Sequence, residues 1–317
     1  MRIIIISGFL GAGKTTFIKK LIEETKENFV IMENEYGEVG IDGALLKEAP
    51  EEQLKGINIW EMTEGCVCCS MKADFATSVL TIANTFDPDY LIVEPTGVGL
   101  LENIIESIEQ VLYNRIELLQ PITILDANLF SDNVKDYEAI YTNQIEFAGT
   151  IVFSKAESFS QEEIVALEHQ ARKLNPKADI ETKHYSKKDT SWWRQLLSRK
   201  YHEDTDKKST TAAKNMDIES MGFRTVELRS EDHLLLFLNC IVNGVFGNIV
   251  RAKGYLKAGE AWLRFDVVGS KYSITGMDEM PDSAVIFIGK NLKRDKLRKL
   301  FKKQRKYTVR SKAYKLK

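Results

Sequence analysis

The chain has 317 residues, which is more than one ordinary hydrophobic core supports and enough for two domains. Its formal net charge of −2 at pH 7 excludes attraction of the whole molecule to nucleic acid or to an acidic membrane surface. No apolar run approaches the ~20 residues that a membrane-spanning helix needs. We therefore expect a cytoplasmic protein that binds neither nucleic acid nor a membrane.

The first predicted element is a buried strand of four isoleucines, residues 3–6, which leads into the glycine-rich motif GFLGAGKT at residues 8–15. An amphipathic helix is predicted directly after the motif. This order is typical of a phosphate-binding loop (P-loop), because the loop N–H groups and the helix N-terminus together hold a polyphosphate. The residues predicted to contact the nucleotide here are Gly11, Ala12, Gly13, Lys14, Thr15 and Thr16.

Two side chains of this motif have predicted chemical roles. The ammonium of Lys14 is expected to reach the β- and γ-phosphates as a point charge. The hydroxyl of Thr15 is expected to bind Mg²⁺, since that ion prefers oxygen ligands and holds phosphates in octahedral geometry. The motif therefore predicts a nucleoside triphosphate bound together with Mg²⁺.

Apolar strand-like runs alternate with helical patterns up to residue 198, which is typical of an α/β fold with a doubly wound, mostly parallel sheet. We expect this P-loop NTPase domain to span residues 1–198. In such a sheet the ligand lies beyond the carboxyl ends of the strands, so the residues after each run are the candidates for chemistry. The predicted strands are residues 3–6, 29–32, 57–60, 90–93, 122–125 and 149–153.

Cysteines follow the third of these runs, in the sequence Cys-Val-Cys-Cys, and this spacing is not a disulfide framework for a chain of this length. Three thiolates so close together can converge on one ion, such as zinc, another late first-row divalent metal or copper(I). Glutamates from the neighbouring strand end would complete the site. A redox-active thiol cluster and inert buried thiols are the alternatives. The predicted metal ligands are Cys66, Cys68, Cys69, Glu33 and Glu38.

The motif EPTG at residues 94–97 follows the predicted strand 90–93. Glu94 is expected to hold Mg²⁺ through water or to orient the attacking water, and the N–H of Gly97 to contact the γ-phosphate. With Lys14, these two residues form the predicted catalytic set of a nucleotide hydrolase. The sequence suggests no arginine finger or positioned glutamine. We therefore expect slow hydrolysis that a client, or a second copy of the chain in a nucleotide-dependent homodimer, accelerates.

Base recognition is predicted for the residues after the strand at 149–153, namely Ser154, Lys155 and Glu157. A carboxylate can accept hydrogen bonds from both N1–H and the exocyclic amine of guanine, whereas adenine offers it an acceptor and a misplaced amine. Glu157 therefore favours GTP and GDP. The alternative is an ordinary ion-pairing turn at the surface.

A polar stretch without an apolar face, residues 199–222, predicts a linker. Beyond it a smaller α+β domain, residues 223–317, is predicted from strand patterns at 223–228, 250–257, 261–268, 272–274 and 284–288 and helical patterns at 232–242 and 293–303. The basic segment 290–317 is either a solvated helix face with a tail or a docking tail for a partner.

Together these motifs resemble the CobW-type GTPases, relatives of the urease and hydrogenase maturation GTPases. The resemblance implies a metal chaperone that couples GTP binding and hydrolysis to delivery of zinc, cobalt (Co²⁺) or a similar ion to a client metalloprotein or a corrinoid pathway. It also implies that the cysteine cluster is the metal motif. The segments that carry it are GFLGAGKTT at residue 8, ENEYGEVGIDG at 33, GCVCC at 65, EPTG at 94, RAKG at 251 and IFIG at 286.

The chain departs from the family pattern in the guanine motif. That motif is typically Asn-Lys-x-Asp, and here Ser154 replaces the asparagine and Glu157 the aspartate, while Lys155 is kept. Selectivity for guanine is therefore a weaker expectation than GTPase membership.

Two other functions fit parts of the sequence. A small-molecule kinase would use the same loop to transfer phosphate to an acceptor, although the cysteine cluster argues against it. A zinc or thiol sensor with vestigial GTPase activity would use the cysteines and not the hydrolysis.

Overall fold

The computed structural model describes residues 1–34, 58–62, 72–113, 115–201 and 218–302. The chain divides into two compact units, Met1–Ile218 and Glu219–Lys317. Within its described part, no helix is long and apolar enough to cross a membrane.

The described part of the first unit alternates strands and helices. Its elements are β1 Arg2–Ser7, α1 Lys14–Thr25, β2 Phe29–Asn34, β3 Asn58–Met62, α2 Lys72–Thr85, β4 Tyr90–Glu94, α3 Leu101–Glu109, β5 Glu117–Leu118, β6 Ile122–Asp126, α4 Phe130–Asp136, α5 Glu138–Glu146, β7 Thr150–Ser154, α6 Gln161–Leu174, β8 Asp179–Glu181, a 3-10 turn Tyr185–Lys187, and α7 Thr190–Leu196.

These strands form one sheet in the order β3-β2-β4-β1-β6-β7-β8, with β5 also beside β1. Each pair is parallel, and described helices lie between β1 and β2, β3 and β4, β4 and β5, β6 and β7, and β7 and β8, so the α/β prediction is confirmed. All six predicted apolar runs lie in this sheet. Most of their residues are apolar, as expected for a parallel sheet with both faces covered.

The central strand β1 illustrates this burial. Ile3 and Ile5 pack on one face of the sheet, in a cluster that includes residues of α2 and α3. Ile4 and Ile6 pack on the other face, where the cluster includes residues of α1 and α7. Four consecutive buried isoleucines fix the strand firmly, so the loop that follows β1 starts from a rigid support.

The second unit is a smaller α+β domain, as predicted. Its core packs α8 against the sheet, with Leu238 on the helix and Phe265 and Phe287 on the strands. The described sheet has the order β13-β12-β11-β14-β9, and β10 pairs with β11. The elements are β9 Ile218–Arg224, β10 Glu227–Leu228, α8 Glu231–Val242, β11 Asn248–Ala258, β12 Ala261–Val268, β13 Lys271–Gly276, β14 Ala284–Lys290 and α9 Arg294–Lys302.

Both ends of the segment 199–222, predicted as a linker, have defined structure. Arg199 contacts the Thr150 hydroxyl at 3.1 Å and the Asp179 carboxylate at 2.7 Å, so this end packs on the first unit. At the other end, residues 218–222 belong to β9, with Met221 buried. The described ends of this segment are thus held by an ion pair and by strand pairing, which an apolar period in the sequence does not reveal.

Candidate functional site

The loop between β1 and α1, residues 8–13, has a backbone that only glycine adopts easily. Gly8, Gly11 and Gly13 have φ angles of 139°, 77° and 96°. A Cβ on Gly8 would also overlap the carbonyl oxygen of Ile124 in β6. The loop therefore lies tightly on the carboxyl edge of the sheet and turns directly into the N-terminus of α1.

Lys14 is the first residue of α1, and its side chain is nearly buried at 7% exposure. Its Nζ donates a hydrogen bond to the carbonyl oxygen of Gly8 at 3.1 Å. The ammonium thus lies over the same loop whose N–H groups can bind phosphate, which suits a point charge on an anion. Thr16, two residues further along α1, is exposed.

Thr15 and Glu94 are brought together from α1 and the end of β4. The Thr15 hydroxyl donates to Oε1 of Glu94 at 3.2 Å, and Oε2 is 3.5 Å away. Both side chains offer oxygen ligands of the kind that Mg²⁺ prefers, so this pair fits the ion.

Gly97 packs directly against the glycine-rich loop. A Cβ at this position would lie 2.6 Å from the backbone nitrogen of Leu10 and 2.8 Å from its Cα. Nε2 of Gln144, a fully buried side chain of α5, donates to the carbonyl oxygens of Gly97 at 3.2 Å and Gly99 at 3.0 Å. The loop after β4 is therefore held between the glycine-rich loop and α5.

The loop after β7 is tied to the same glycine-rich loop. The buried Ser154 hydroxyl donates to the carbonyl oxygen of Ala12 at 2.7 Å. Lys155, with a φ of 57°, donates from Nζ to the carbonyl oxygen of Gly11 at 2.8 Å and to the Asp126 carboxylate at 2.7 Å. Two predicted base-contacting residues thus hold their loop beside the predicted phosphate contacts.

Glu157 lies further along this loop with 58% of its side chain exposed. Its Oε1 is 2.9 Å from Nε2 of His184, in the loop after β8. Burial raises the pKa of the Tyr185 hydroxyl, and the negative charge of Glu157 makes a smaller contribution in the same direction. The carboxylate therefore belongs to a small cluster formed by the loops after β7 and β8.

The predicted transition-metal ligands fall mostly outside the described residues. Cys66, Cys68, Cys69 and Glu38 all lie in ranges that the structure does not describe. Glu33 is described, is buried at 6% exposure and pairs in register with Glu94 on the adjacent strand. Among described residues there is no group of three His, Cys, Asp or Glu side chains that could hold a metal ion.

Two family models match the chain. One, described as "CobW/HypB/UreG, nucleotide-binding domain", matches residues 2–182, and the other, "Cobalamin synthesis protein cobW C-terminal domain", matches residues 218–305. The chain belongs to the CobW/HypB/UreG family. The resemblance inferred from the sequence motifs is thereby confirmed.

Several curated relatives are similar to this family member. The zinc chaperone YeiR of Escherichia coli K12 is 34% identical over 167 residues, which cover 52% of this chain and 49% of that protein. The zinc-regulated GTPase metalloprotein activator 1 of Dictyostelium discoideum is 26% identical over 211 residues, 56% of this chain and 44% of that protein. The chain thus spans about half the length of these two relatives.

A third relative aligns along most of the chain. The protein of the same name from Schizosaccharomyces pombe is 23% identical over 340 residues, covering 92% of this chain and 82% of that protein. The similarity therefore extends through both units of this CobW/HypB/UreG family member.

Three residues of the site were not assigned a role from the sequence. Asp126 ends β6 and could be suspected from that position alone. Gln144 lies inside a helix with no motif around it, so nothing in the sequence singles it out. His184 follows β8, a strand of only three residues that is too short and polar for an apolar pattern to reveal.

Proposed function

We propose that this CobW/HypB/UreG family member is a GTP-binding and GTP-hydrolysing metal chaperone. It delivers zinc, or a similar divalent ion such as cobalt, to a client metalloprotein or a corrinoid pathway. One observation carries the proposal: Glu94 accepts a hydrogen bond from Thr15 in the nucleotide loop and pairs in register with Glu33. Glu33 lies at the end of β2, directly before the segment that contains Glu38.

The nucleotide contacts proposed here come from the glycine-rich loop. Backbone N–H groups of residues 11–16 hold the phosphates, and Lys14 places a positive charge beside the β- and γ-phosphates. Thr15 and Glu94 would hold Mg²⁺, which supplies charge neutralisation of the phosphates when bound. The N–H of Gly97 contacts the γ-phosphate, and Glu94 either holds Mg²⁺ through water or orients the attacking water.

Guanine selectivity is proposed to come from Glu157. The tethers from Ser154 and Lys155 to the glycine-rich loop support this role, because they keep the loop after β7 beside the nucleotide. A carboxylate there accepts from two N–H groups of guanine, and adenine does not present that pair of donors.

The cargo site is proposed to consist of Cys66, Cys68 and Cys69 with Glu33 and Glu38. Thiolates favour zinc, and a site that borrows carboxylate ligands is easier to open than a closed four-cysteine site. The names of the relatives, zinc chaperone and zinc-regulated GTPase metalloprotein activator, support zinc as the first ion to test.

Nucleotide and cargo are coupled through β2 and β4 in this proposal. Binding of GTP orders the segment after β2 against the cysteines and completes the ligand set, and hydrolysis releases it. Because the two sites then share one segment, each ligand changes the affinity of the other by the same factor.

The test is a zinc titration of the metal-free full-length chain, with and without Mg²⁺ and a non-hydrolysable GTP analogue. We expect zinc to bind about 5- to 150-fold more tightly with the analogue, the usual range of such coupling. The reciprocal titration should give the same factor. Cys68→Ser is the matched variant, which should lose zinc and keep the affinity for the analogue. Equal zinc affinities in the two titrations would exclude the coupling.

A further inference from the structure

The loops after β7 and β8 meet through one pair of side chains. Nε2 of His184 lies 2.9 Å from Oε1 of Glu157, and the His184 side chain is 21% exposed while that of Glu157 is 58% exposed. This contact joins the loop after β7, which is tethered to the glycine-rich loop, to the loop after β8.

The hydrogen-bond network assigns the hydrogen of the His184 ring. Nδ1 accepts from the backbone N–H of Ser186 at 3.3 Å, as the cap of the 3-10 turn Tyr185–Lys187. The Ser186 hydroxyl is also 2.7 Å from Nδ1. Since Nδ1 is an acceptor, the neutral ring carries its hydrogen on Nε2 and donates it to Glu157.

His184 is the fixed member of this pair. Its ring stacks on Tyr185 with centroids 4.4 Å apart. Tyr185 is itself buried and packs edge-on against Phe17 of α1, at 5.1 Å, and Trp193 of α7. The histidine is therefore supported by the core, while Glu157 extends from an exposed loop.

We propose that His184 is a positioning residue that orients Glu157 for guanine and so contributes to base selectivity. The inference rests on the proposed role of Glu157 as the guanine acceptor. An ionised carboxylate has about four acceptor positions on two oxygens, so one hydrogen bond from His184 leaves positions for N1–H and the amine of guanine. Without His184, Glu157 must be ordered when the base binds, and that ordering lowers the affinity.

The test compares two substitutions of His184 in the full-length chain. His184→Asn keeps an oxygen near the position of Nδ1, which can cap Ser186, but it is too short to reach Glu157. His184→Gln places an amide N–H near the position of Nε2 and restores the donor. Dissociation constants for GDP, IDP and ADP are measured for both variants and for His169→Asn, a control at an exposed position of α6.

We expect His184→Asn to lower the preference for GDP over ADP by about tenfold. This is about the effect of losing one hydrogen bond to a charged group. Affinity for ADP and the melting temperature should not change, and His184→Gln should recover most of the preference. IDP, which lacks the exocyclic amine, should lose less affinity than GDP. In a Glu157→Gln background, His184→Asn should have no further effect.

Three results would overturn the inference. One is an unchanged GDP preference in His184→Asn while Glu157→Gln loses it, which would leave the role of Glu157 intact. Another is equal weakening of GDP and ADP with a lower melting temperature, which would mean a purely structural role. The third is an unchanged preference for GDP over ADP in Glu157→Gln, which would refute the proposed recognition of guanine by Glu157 itself.

Discussion

Replacing Lys14 with alanine is expected to lower kcat/KM for GTP hydrolysis by about 10²- to 10³-fold, the typical cost of losing one preorganised group on a transition-state charge. The ammonium lies nearly buried above the glycine-rich loop, where water screens its charge little. A single-turnover phosphate-release assay measures the loss. Circular dichroism should show an unchanged fold, because α1 and β1 are held by apolar contacts on both faces of the sheet.

The matched control for this variant is Lys19→Ala, which removes the same charge from an exposed position of the same helix. Its hydrolysis rate should stay within about threefold of the unmodified chain, since an exposed charge is screened by water. If Lys14→Ala hydrolyses GTP as fast as this control, Lys14 has no part in catalysis.

Gly97→Ala is expected to lower kcat for hydrolysis by about 10²-fold, again the typical cost of one misplaced donor. The new Cβ would need to occupy space 2.6 Å from the Leu10 nitrogen, so the loop after β4 must retreat from the glycine-rich loop. The Gly97 N–H then no longer reaches the γ-phosphate. Affinity for GDP should change little, because GDP has no γ-phosphate and its proposed contacts come from residues 11–16 and from Ser154, Lys155 and Glu157.

Gly276→Ala provides the control, because a Cβ at that position has no neighbour within 4 Å. It should hydrolyse GTP at the rate of the unmodified chain. Parallel measurements of GTP turnover and GDP binding separate the possible results. Normal turnover in Gly97→Ala would mean that the loop after β4 does not contribute to hydrolysis, and equal loss of GDP binding would mean a general collapse of the nucleotide site.

The adjacent positions of Glu33 and Glu94 give the two proposed sites a shared structural element. Glu33 and Glu94 pair in register on β2 and β4, so the two residues lie about 4.7–4.9 Å apart, the usual spacing of neighbouring strands.

The two alternative functions, a small-molecule kinase and a zinc or thiol sensor, make different predictions. A kinase would transfer phosphate to a metabolite, which a product assay detects. A thiol sensor carrying Cys68→Ser would lose its response to oxidant.

Local sequence determined the strands and the turn that matter most for the nucleotide. Residues 3–6 are apolar throughout, which is sufficient for a strand buried on both faces, and the glycines of the following loop have the positive φ angles expected of a phosphate-binding turn. These features depend on neighbours in the chain, so a pattern can reveal them. The resemblance to the family also came from short local motifs, and the family model that matches residues 2–182 confirms it.

Only the tertiary structure decided which distant residues meet. Gln144 reaches Gly97 across 47 positions of the chain, and His184 reaches Glu157 across two loops. The register of Glu33 with Glu94 likewise depends on the order of strands in the sheet. Periodicity and composition report the environment of a residue but not the identity of its partner, because that partner is set by strand order and helix packing.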